Sequence, residues 1–154
     1  MIGQVTTKWG SMTAPVPYRS LAIRRALQTH TALWHEHVSS ETTSVQYGVL
    51  FFLNEHGELG QRELMDLAQL DKSSLAELLR RMESQGSVET RRDAVDKRRK
   101  TVTLTDAGRE LFEQLRPAAL QVNEMLTGNL SDPEKQSLDR LLAKIVDDGE
   151  RAAS

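Results

Sequence analysis

Residues 70–105 read LDKSSLAELLRRMESQGSVETRRDAVDKRRKTVTLT, and this stretch decides the fold. Its first half predicts a helix that starts after Asp71, whose carboxylate can accept the unpaired N–H groups of a first turn. Gly86 predicts the end of the helix, because glycine tolerates the left-handed turn found there. Apolar residues at helical spacing predict its buried face: Leu75, Leu78, Leu79 and Met82. The opposite face presents small polar groups, one acid and one arginine: Ser73, Glu77, Arg80 and Ser84.

Two short strands joined by a basic loop follow this helix. Residues 87–91 and 101–105 contain alternating Val or Leu and polar side chains, a pattern typical of a hairpin. Between them, residues 91–100 hold six basic and two acidic side chains. A helix with a small-residue face can enter a major groove, and a basic loop beside it can neutralise phosphates or reach a minor groove. The stretch therefore predicts a winged helix-turn-helix that binds DNA.

The order of these signals resembles the multiple-antibiotic-resistance regulator (MarR) family of bacterial transcription factors. Its matching pieces are GQRELMDLA at 60–68, LLRRMESQG at 78–86, DKRRK at 96–100 and VTLTDAGREL at 102–111. In element order the resemblance covers residues 21–146. It implies that Arg98 of the wing enters the minor groove and that Asp96 holds this arginine by a salt bridge.

Further helices are predicted from apolar stripes and from capping residues. One covers residues 18–40, Thr42 or Thr43 caps the next, and the last two begin after Thr105 and Ser131. On the helix capped by Thr42 or Thr43 and on a short helix that Gly60 opens at 60–68, the expected core residues are Val45, Val49, Leu50, Leu53, Leu64 and Leu67. The apolar positions of the last two helices are Leu111, Leu115, Leu120, Val122, Met125, Leu138, Leu141, Leu142, Ile145 and Val146.

The expected fold class is mainly α with a small β-hairpin wing, an α+β winged helix-turn-helix. The resemblance implies that helices from both chain ends interlock as a dimerisation region. The expected organisation is a flexible N-terminal arm at 1–17, dimerisation helices at 18–40 and 106–148, the DNA-binding module at 42–105 and a tail at 149–154. Met12 is a second candidate for the native start.

Composition narrows the class of protein. The net charge is −2, and a nearly neutral chain with one basic patch suits a reader of a defined DNA site. There are no cysteines, which excludes disulfides, thiol redox sensing and thiolate metal sites. No apolar run approaches the roughly 18 residues of a membrane span, and no signal-peptide core is present, so a cytoplasmic protein is expected. No catalytic motif is found, so an enzyme is not expected.

The expected DNA contacts lie on the recognition helix and in the wing. Ser73 and Ser74 can bond phosphates or base edges, and Arg80 can reach a guanine. Glu77 can accept from a cytosine amine, or it can pair within the helix with Arg80 or Arg81. The full set is Lys72, Ser73, Ser74, Glu77, Arg80, Arg81, Asp96, Lys97, Arg98, Arg99 and Lys100.

The first helix carries an unusual pair on its apolar stripe. The stripe consists of Ile23, Leu27, His30, Trp34 and Val38. His30 and Trp34 lie one turn apart, either as an interface histidine beside a packed tryptophan or as part of a ligand pocket. The neighbouring His35-Glu36-His37 lacks the i, i+4 histidines of a zinc helix, so neither a metal nor another cofactor is expected.

The resemblance also implies an effector. Much of the family releases DNA when small aromatic acids, or related phenolic compounds and their conjugates, enter a crevice between the dimerisation helices and the winged helix. Residues expected to wall this crevice or to hold a carboxylate are Arg24, Arg25, His30, Trp34, Tyr47 and Phe51.

Two functional hypotheses follow. The first is a homodimeric repressor that a small ligand, an aromatic acid or its conjugate, releases from a pseudo-palindromic DNA operator. The alternative is an architectural or partner-binding winged helix without an effector. A zinc-sensing variant is disfavoured, because the sequence contains no metal-binding cluster.

Overall fold

The computed structural model describes residues 19–92, 96 and 99–153, with side chains up to residue 149. The predicted arm at 1–17 and the wing residues 93–95 and 97–98 lie outside the described residues. The elements are α1 (Arg19–His37), α2 (Ser44–His56), β1 (Glu58–Gly60), α3 (Gln61–Ala68), α4 (Lys72–Ser84), β2 (Val88–Arg92), β3 (Lys100–Leu104), α5 (Asp106–Thr127) and α6 (Asp132–Ala153). The predicted fold class, mainly helical with a small winged sheet, is confirmed.

The recognition helix α4 starts and stops where its local signals predict. The Asp71 carboxylate accepts hydrogen bonds from the Ser73 hydroxyl (2.6 Å), the Ser74 backbone N–H (2.9 Å) and the Ser74 hydroxyl (2.7 Å). These bonds, with the Ser73 hydroxyl contributing most, hold the pKa of Asp71 well below its usual range. At the other end, Gln85 is the C-cap and Gly86 follows with φ +75°. The glycine thus occupies a conformation that other residues rarely adopt.

A three-stranded antiparallel sheet, in the order β1-β3-β2, supports the helices. The predicted hairpin pairs Val88 with Leu104 and Arg92 with Lys100. The third strand, β1, was not predicted; it pairs Leu59 with Val102. Three residues are too few to show an alternating pattern, so this strand is defined by its pairing with β3 rather than by its own sequence.

The core lies between the sheet and helices α2 to α5. Its buried side chains include Val49, Leu50, Leu53, Leu64, Leu75, Leu79, Met82, Val88, Val102, Leu104 and Phe112. Two core predictions were wrong, since Val45 is 45% exposed and Leu67 is 38% exposed. On α2 the buried stripe includes Gln46, and Val45 lies about 100° from that residue around the helix.

Helices α1, α5 and α6 leave much apolar surface uncovered. Trp34 is the buried residue of α1, and α6 buries none of its described side chains. The exposed large hydrophobic residues of these helices are Leu21, Ile23, Leu27, Leu120, Met125, Leu126, Leu141, Leu142, Ile145 and Val146. Monomeric soluble proteins rarely expose large apolar patches, so these side chains are candidates for an interface.

None of the helices in the described part of the chain is both long enough and apolar enough to cross a membrane.

Candidate nucleic-acid interface and ligand cavity

The polar face of α4 is open to solvent, as predicted. Lys72, Ser73, Glu77 and Arg80 are all exposed. Within the described residues, Glu77 forms neither of the two intrahelical ion pairs that its spacing allows, with Arg80 or with Arg81. Its carboxylate is therefore free of competition from these arginines, and contact with a base stays a prediction.

The Asp71 cap limits what the two serines at the start of α4 can offer to DNA. The Ser73 and Ser74 hydroxyls each donate their proton to Asp71. A hydroxyl has one proton and two lone pairs. Ser73 and Ser74 can therefore accept from a cytosine or adenine amine, but they can donate to a phosphate only if the cap bond breaks.

A basic groove of about 510 Å³ runs between α3, α4 and the hairpin. Its floor is apolar, with Met65, Leu75 and Leu79, and Glu83 adds one acid. The cations around it are Lys72, Arg80, Arg91, Arg92 and Lys100. Arg91 and Arg92 were missing from the predicted contact set, although the charge of residues 91–100 was the available signal. Arg91 is paired with Glu89, 2.8 Å between Nη2 and Oε2.

The described residues of the wing tip are joined by one backbone hydrogen bond. The Arg99 N–H donates to the Asp96 carbonyl oxygen at 2.8 Å. Asp96, Arg99 and Lys100 are exposed. Lys97 and Arg98 lie outside the described residues, so the Asp96–Arg98 salt bridge stays a prediction.

A second cavity, of about 450 Å³, lies between α1, α2 and α5. Four of the predicted effector residues line it: His30, Trp34, Tyr47 and Phe51. The wall from α5 was not predicted, and consists of Ala119, Leu120, Val122, Asn123 and Leu126. Sequence spacing could place these residues on a helix, but not opposite Trp34, because that contact joins distant segments.

The aromatic rings of this cavity form a connected series. Ring centroids are 6.1 Å apart for His30 and Trp34, and 5.3 Å for Trp34 and Tyr47. Tyr47 in turn stacks on Phe112, at 5.4 Å and 22°. The Trp34 indole N–H donates to the Thr42 carbonyl oxygen at 2.8 Å. The flat apolar surface of Trp34 can therefore contact a ligand, while its indole nitrogen is hydrogen-bonded to the segment that precedes α2.

Tyr47 gives the cavity a phenol that stays protonated at neutral pH. Burial raises its pKa, opposed by the positive charge of Arg116 and reinforced by the carboxylate of Glu113. Arg116 and Glu113 are themselves an ion pair, 3.7 Å between Nη1 and Oε1. Among the described residues, the Tyr47 hydroxyl has no hydrogen-bond partner, so it can bond a ligand.

The two arginines predicted to hold a carboxylate lie elsewhere. Arg24 lines a separate groove along α1, with Leu27, Gln28, Thr31, Ala32 and His35. Arg25 is not among the residues that line the aromatic cavity. The lining residue of that cavity that can become positively charged is His30.

In the described ranges no group of three or more His, Asp or Glu residues is placed to hold a metal ion. The His37 imidazole lies 3.9 Å from the Glu36 carboxylate, at the exposed end of α1.

Comparison with known proteins agrees with this architecture. The model of the MarR family matches residues 41–99. The chain is 30% identical over 131 residues to the transcriptional repressor NicR of Pseudomonas putida, a match covering 84% of this chain and 83% of NicR.

Two experimental structures are similar over nearly their whole length. PcaV of Streptomyces coelicolor, in complex with its natural ligand, superimposes with a TM-score of 0.82 and 32% identity, covering 87% of this chain and 97% of PcaV. BpsR of Bordetella bronchiseptica, whose DNA binding is regulated by 6-hydroxynicotinic acid, gives a TM-score of 0.73 and 26% identity, covering 82% and 97%. On the winged helix-turn-helix and these similarities, the chain belongs to the MarR family of transcriptional regulators.

Proposed function

We propose that this regulator is a homodimeric repressor, and that a small aromatic acid or its conjugate releases it from a pseudo-palindromic operator. The observation that carries the proposal is the cavity of about 450 Å³ walled by the rings of Trp34, Tyr47 and Phe51. Its size and mostly apolar lining suit one aromatic ring with a few polar substituents. Such a regulator works in the cytoplasm, where its DNA is, and no catalytic role is proposed.

The polar atoms of the cavity favour an acid. His30 can donate a charge-assisted hydrogen bond to a carboxylate, and the Tyr47 hydroxyl and the Asn123 amide can bond a second polar substituent. BpsR, which has the same fold, is regulated by an acid of this type, 6-hydroxynicotinic acid. An apolar ring between Trp34 and Phe51 would supply the remaining affinity by burial.

The uncovered helices support a dimer. Leu27 on α1 is 64% exposed, and Leu141 and Ile145 in the apolar stripe of α6 are about half exposed. The two surfaces come from opposite ends of the sequence, outside the winged module. A second copy of the chain can cover both, because a two-fold interface pairs the same patch on each subunit.

A two-fold dimer also fits the proposed operator. Each α4 would enter a major groove, with half-sites about one helical turn apart. Arg80 would pair with a guanine, and Lys72 and the wing cations would neutralise phosphates. A ligand weakens this complex if it prefers a dimer whose two recognition helices are wrongly spaced for DNA.

The test uses a panel of ligands that distinguishes the contribution of an aromatic ring from that of a carboxylate charge. Benzoate, 4-hydroxybenzoate and 6-hydroxynicotinate are compared with cyclohexanecarboxylate, which lacks the aromatic ring, and with benzyl alcohol, which lacks the charge. Binding is read from the shift in Tm, and release from the fluorescence anisotropy of an operator selected by this protein from random DNA. Aromatic acids are expected to raise Tm and release DNA more strongly than either control.

Variants localise the binding. Phe51→Ala removes one wall of the cavity, and Leu67→Ala is its matched control, since the two side chains are 41% and 38% exposed and Leu67 lies outside the cavity. Phe51→Ala should reduce the Tm shift and Leu67→Ala should not. If a broad panel that includes conjugates neither shifts Tm nor releases DNA, the architectural alternative replaces the ligand sensor.

A further inference from the structure

Gln46 is a polar residue buried at the start of α2, with 2% of its surface exposed. Its Oε1 accepts a hydrogen bond from the Thr43 backbone N–H at 2.8 Å, and its Nε2 donates to Oε1 of Gln85 at 3.2 Å. The Thr43 N–H can only donate, so the amide oxygen must face Thr43 and the amino group must face Gln85. Both atoms of the amide are therefore held in one orientation.

The bond to Gln85 joins two segments that are far apart in sequence. Gln85 is the C-cap of the recognition helix, and its backbone N–H donates to the Arg81 carbonyl oxygen at 3.0 Å. By comparison, the side chain–side chain hydrogen bonds at Asp71, Glu89 and Glu134 span two or three positions. The Gln46–Gln85 bond spans 39 positions and fastens the start of α2 to the end of α4.

The start of α2 is also fastened to the ligand cavity. The Trp34 indole N–H donates to the carbonyl oxygen of Thr42, the residue before the Thr43 cap. Trp34 lines the cavity, as does Tyr47, the residue after Gln46. A continuous path of contacts therefore runs from the cavity wall through the α2 cap to the end of the recognition helix.

We propose that Gln46 is a positioning residue that transmits occupancy of the aromatic cavity to the recognition helix through Gln85. This rests on the proposed function. A ligand that displaces the Trp34 ring moves the Thr42 carbonyl, and the capping bonds carry this movement to Gln46. Gln46 then shifts the end of α4, and with it the spacing of the two recognition helices. Coupling of this kind requires an element with two arrangements that both sites bias, and the proposal assigns that role to the α2 cap together with the end of α4.

Single substitutions can cut this path without damaging its ends. Gln85→Ala removes the long-range bond from an exposed position and leaves the Thr43–Gln46 capping box intact. Gln46→Glu keeps both bonds, because a carboxylate still accepts from Thr43 and the exposed Gln85 amide can turn to donate to it; its Tm is measured first, since it places a charge at a buried position. Gln114→Ala, at an exposed glutamine of α5, is the matched control.

The first experiment measures coupling. The Kd for a selected operator is determined with and without saturating 6-hydroxynicotinate or 4-hydroxybenzoate, together with the Kd of the probe for the free protein. Gln85→Ala should keep the probe Kd within about twofold but reduce the ratio of the two operator Kd values by about threefold or more, a coupling effect of ordinary size. Gln46→Glu should retain the wild-type ratio, as should Gln114→Ala. A wild-type ratio in Gln85→Ala overturns the proposal.

The second experiment needs no ligand. Trp34→Phe keeps a ring in the cavity but removes the N–H that bonds Thr42. Amide hydrogen exchange is measured at Gln85, Gly86 and Ser87, whose N–H groups close the end of α4. Exchange there should accelerate in Trp34→Phe, and the same substitution should add nothing in the Gln85→Ala background. An equal acceleration of exchange in both backgrounds, or no acceleration in either, would show that the proposed path is wrong.

The two experiments separate the inference from the function on which it rests. If no probe releases the wild-type protein but the exchange result is as expected, the proposed ligand response fails and the physical link between cavity and helix stands. If probes release the wild-type protein and Gln85→Ala responds equally, the function stands and the path is wrong.

Discussion

At the scale of single residues, the recognition helix carries two kinds of polar side chain: some are available to contact bases, and others are hydrogen-bonded within the helix. Arg80 and Glu77 are exposed and, within the described residues, not paired with each other. Ser73 and Ser74 have committed their protons to Asp71. Base reading by this helix should therefore depend more on Arg80 and Glu77 than on the two serines.

Arg80→Ala tests base reading. If Arg80 pairs with a guanine, the substitution should cost about 1–3 kcal/mol on the selected operator and relax the preference at that base. Arg140→Ala, at an exposed arginine of α6, is the control and should leave operator binding unchanged. An equal loss on operator and on random DNA, measured by competition, would demote Arg80 to a phosphate contact.

Asp71→Ala tests the cap. The folded-state pKa of Asp71 is lowered, so the cap contributes stability above the carboxyl's unfolded pKa and loses it as pH falls through the folded pKa. The Tm of Asp71→Ala should lie below wild type at pH 7, and the gap should narrow below about pH 4, the unfolded carboxyl pKa. Asp71→Asn keeps one accepting oxygen but loses the charge and the second acceptor, so its Tm at pH 7 should lie between those of Asp71→Ala and wild type. A gap that is constant with pH would show that the carboxylate charge contributes nothing.

At the scale of elements, the sequence predicted those helix ends that depend on contacts between residues close together in the chain. Asp71 and Gly86 bound α4, and Thr43 and Thr105 cap α2 and α5, because each cap needs only a side chain and the next three backbone N–H groups. Contacts between segments that are far apart in sequence could not be predicted from such local signals. β1 is defined by its pairing with β3, and Gln46 bonds to Gln85, which lies 39 positions away at the end of α4.

The same distinction applies to the candidate site. Trp34, Tyr47 and Phe51 were predicted as cavity residues because aromatic side chains are few and these three fall on adjacent helices. Asn123 and Leu126 were missed, since nothing in their own segment marks them as facing α1. Arg24 was placed near the cavity by proximity in sequence, whereas its side chain lines another groove.

The wing is expected to supply affinity with little choice of sequence. Residues 91–100 hold six basic and two acidic side chains, and by family resemblance Arg98 contacts the minor groove. Arg98→Ala should weaken binding to operator and to random DNA alike, and should lower the slope of log K against log salt by about one per wing. An unchanged Kd at moderate salt, measured by anisotropy, would remove Arg98 from the interface.

At the scale of the whole molecule, the winged module has a buried apolar core, whereas helices α1, α5 and α6 expose apolar side chains to solvent. The module buries Leu50, Leu64 and Val102 completely, while Leu142 and Ile145 on α6 are nearly half exposed. The proposed dimer explains this difference in burial, because helices α1, α5 and α6 would bury their apolar side chains against a second chain.

Leu142→Glu tests the dimer. A charge in the apolar stripe of α6 should dissociate the dimer, as measured by light scattering at micromolar concentration, because burying an unpaired carboxylate is strongly unfavourable. Lys144→Glu, at an exposed site on the same helix, should remain dimeric. A wild-type chain that is a stable monomer at this concentration and binds a single operator with full affinity would contradict the dimer.

The central claim is that one molecule couples the aromatic cavity to DNA. The direct measurement is the operator Kd of the wild-type dimer with and without a saturating aromatic acid, at fixed salt, together with the acid's Kd for free and DNA-bound protein. The acid should weaken operator binding by roughly 5- to 150-fold, and DNA should weaken acid binding by the same factor, since coupling is reciprocal. An acid that binds in the cavity and leaves the operator Kd unchanged would contradict it.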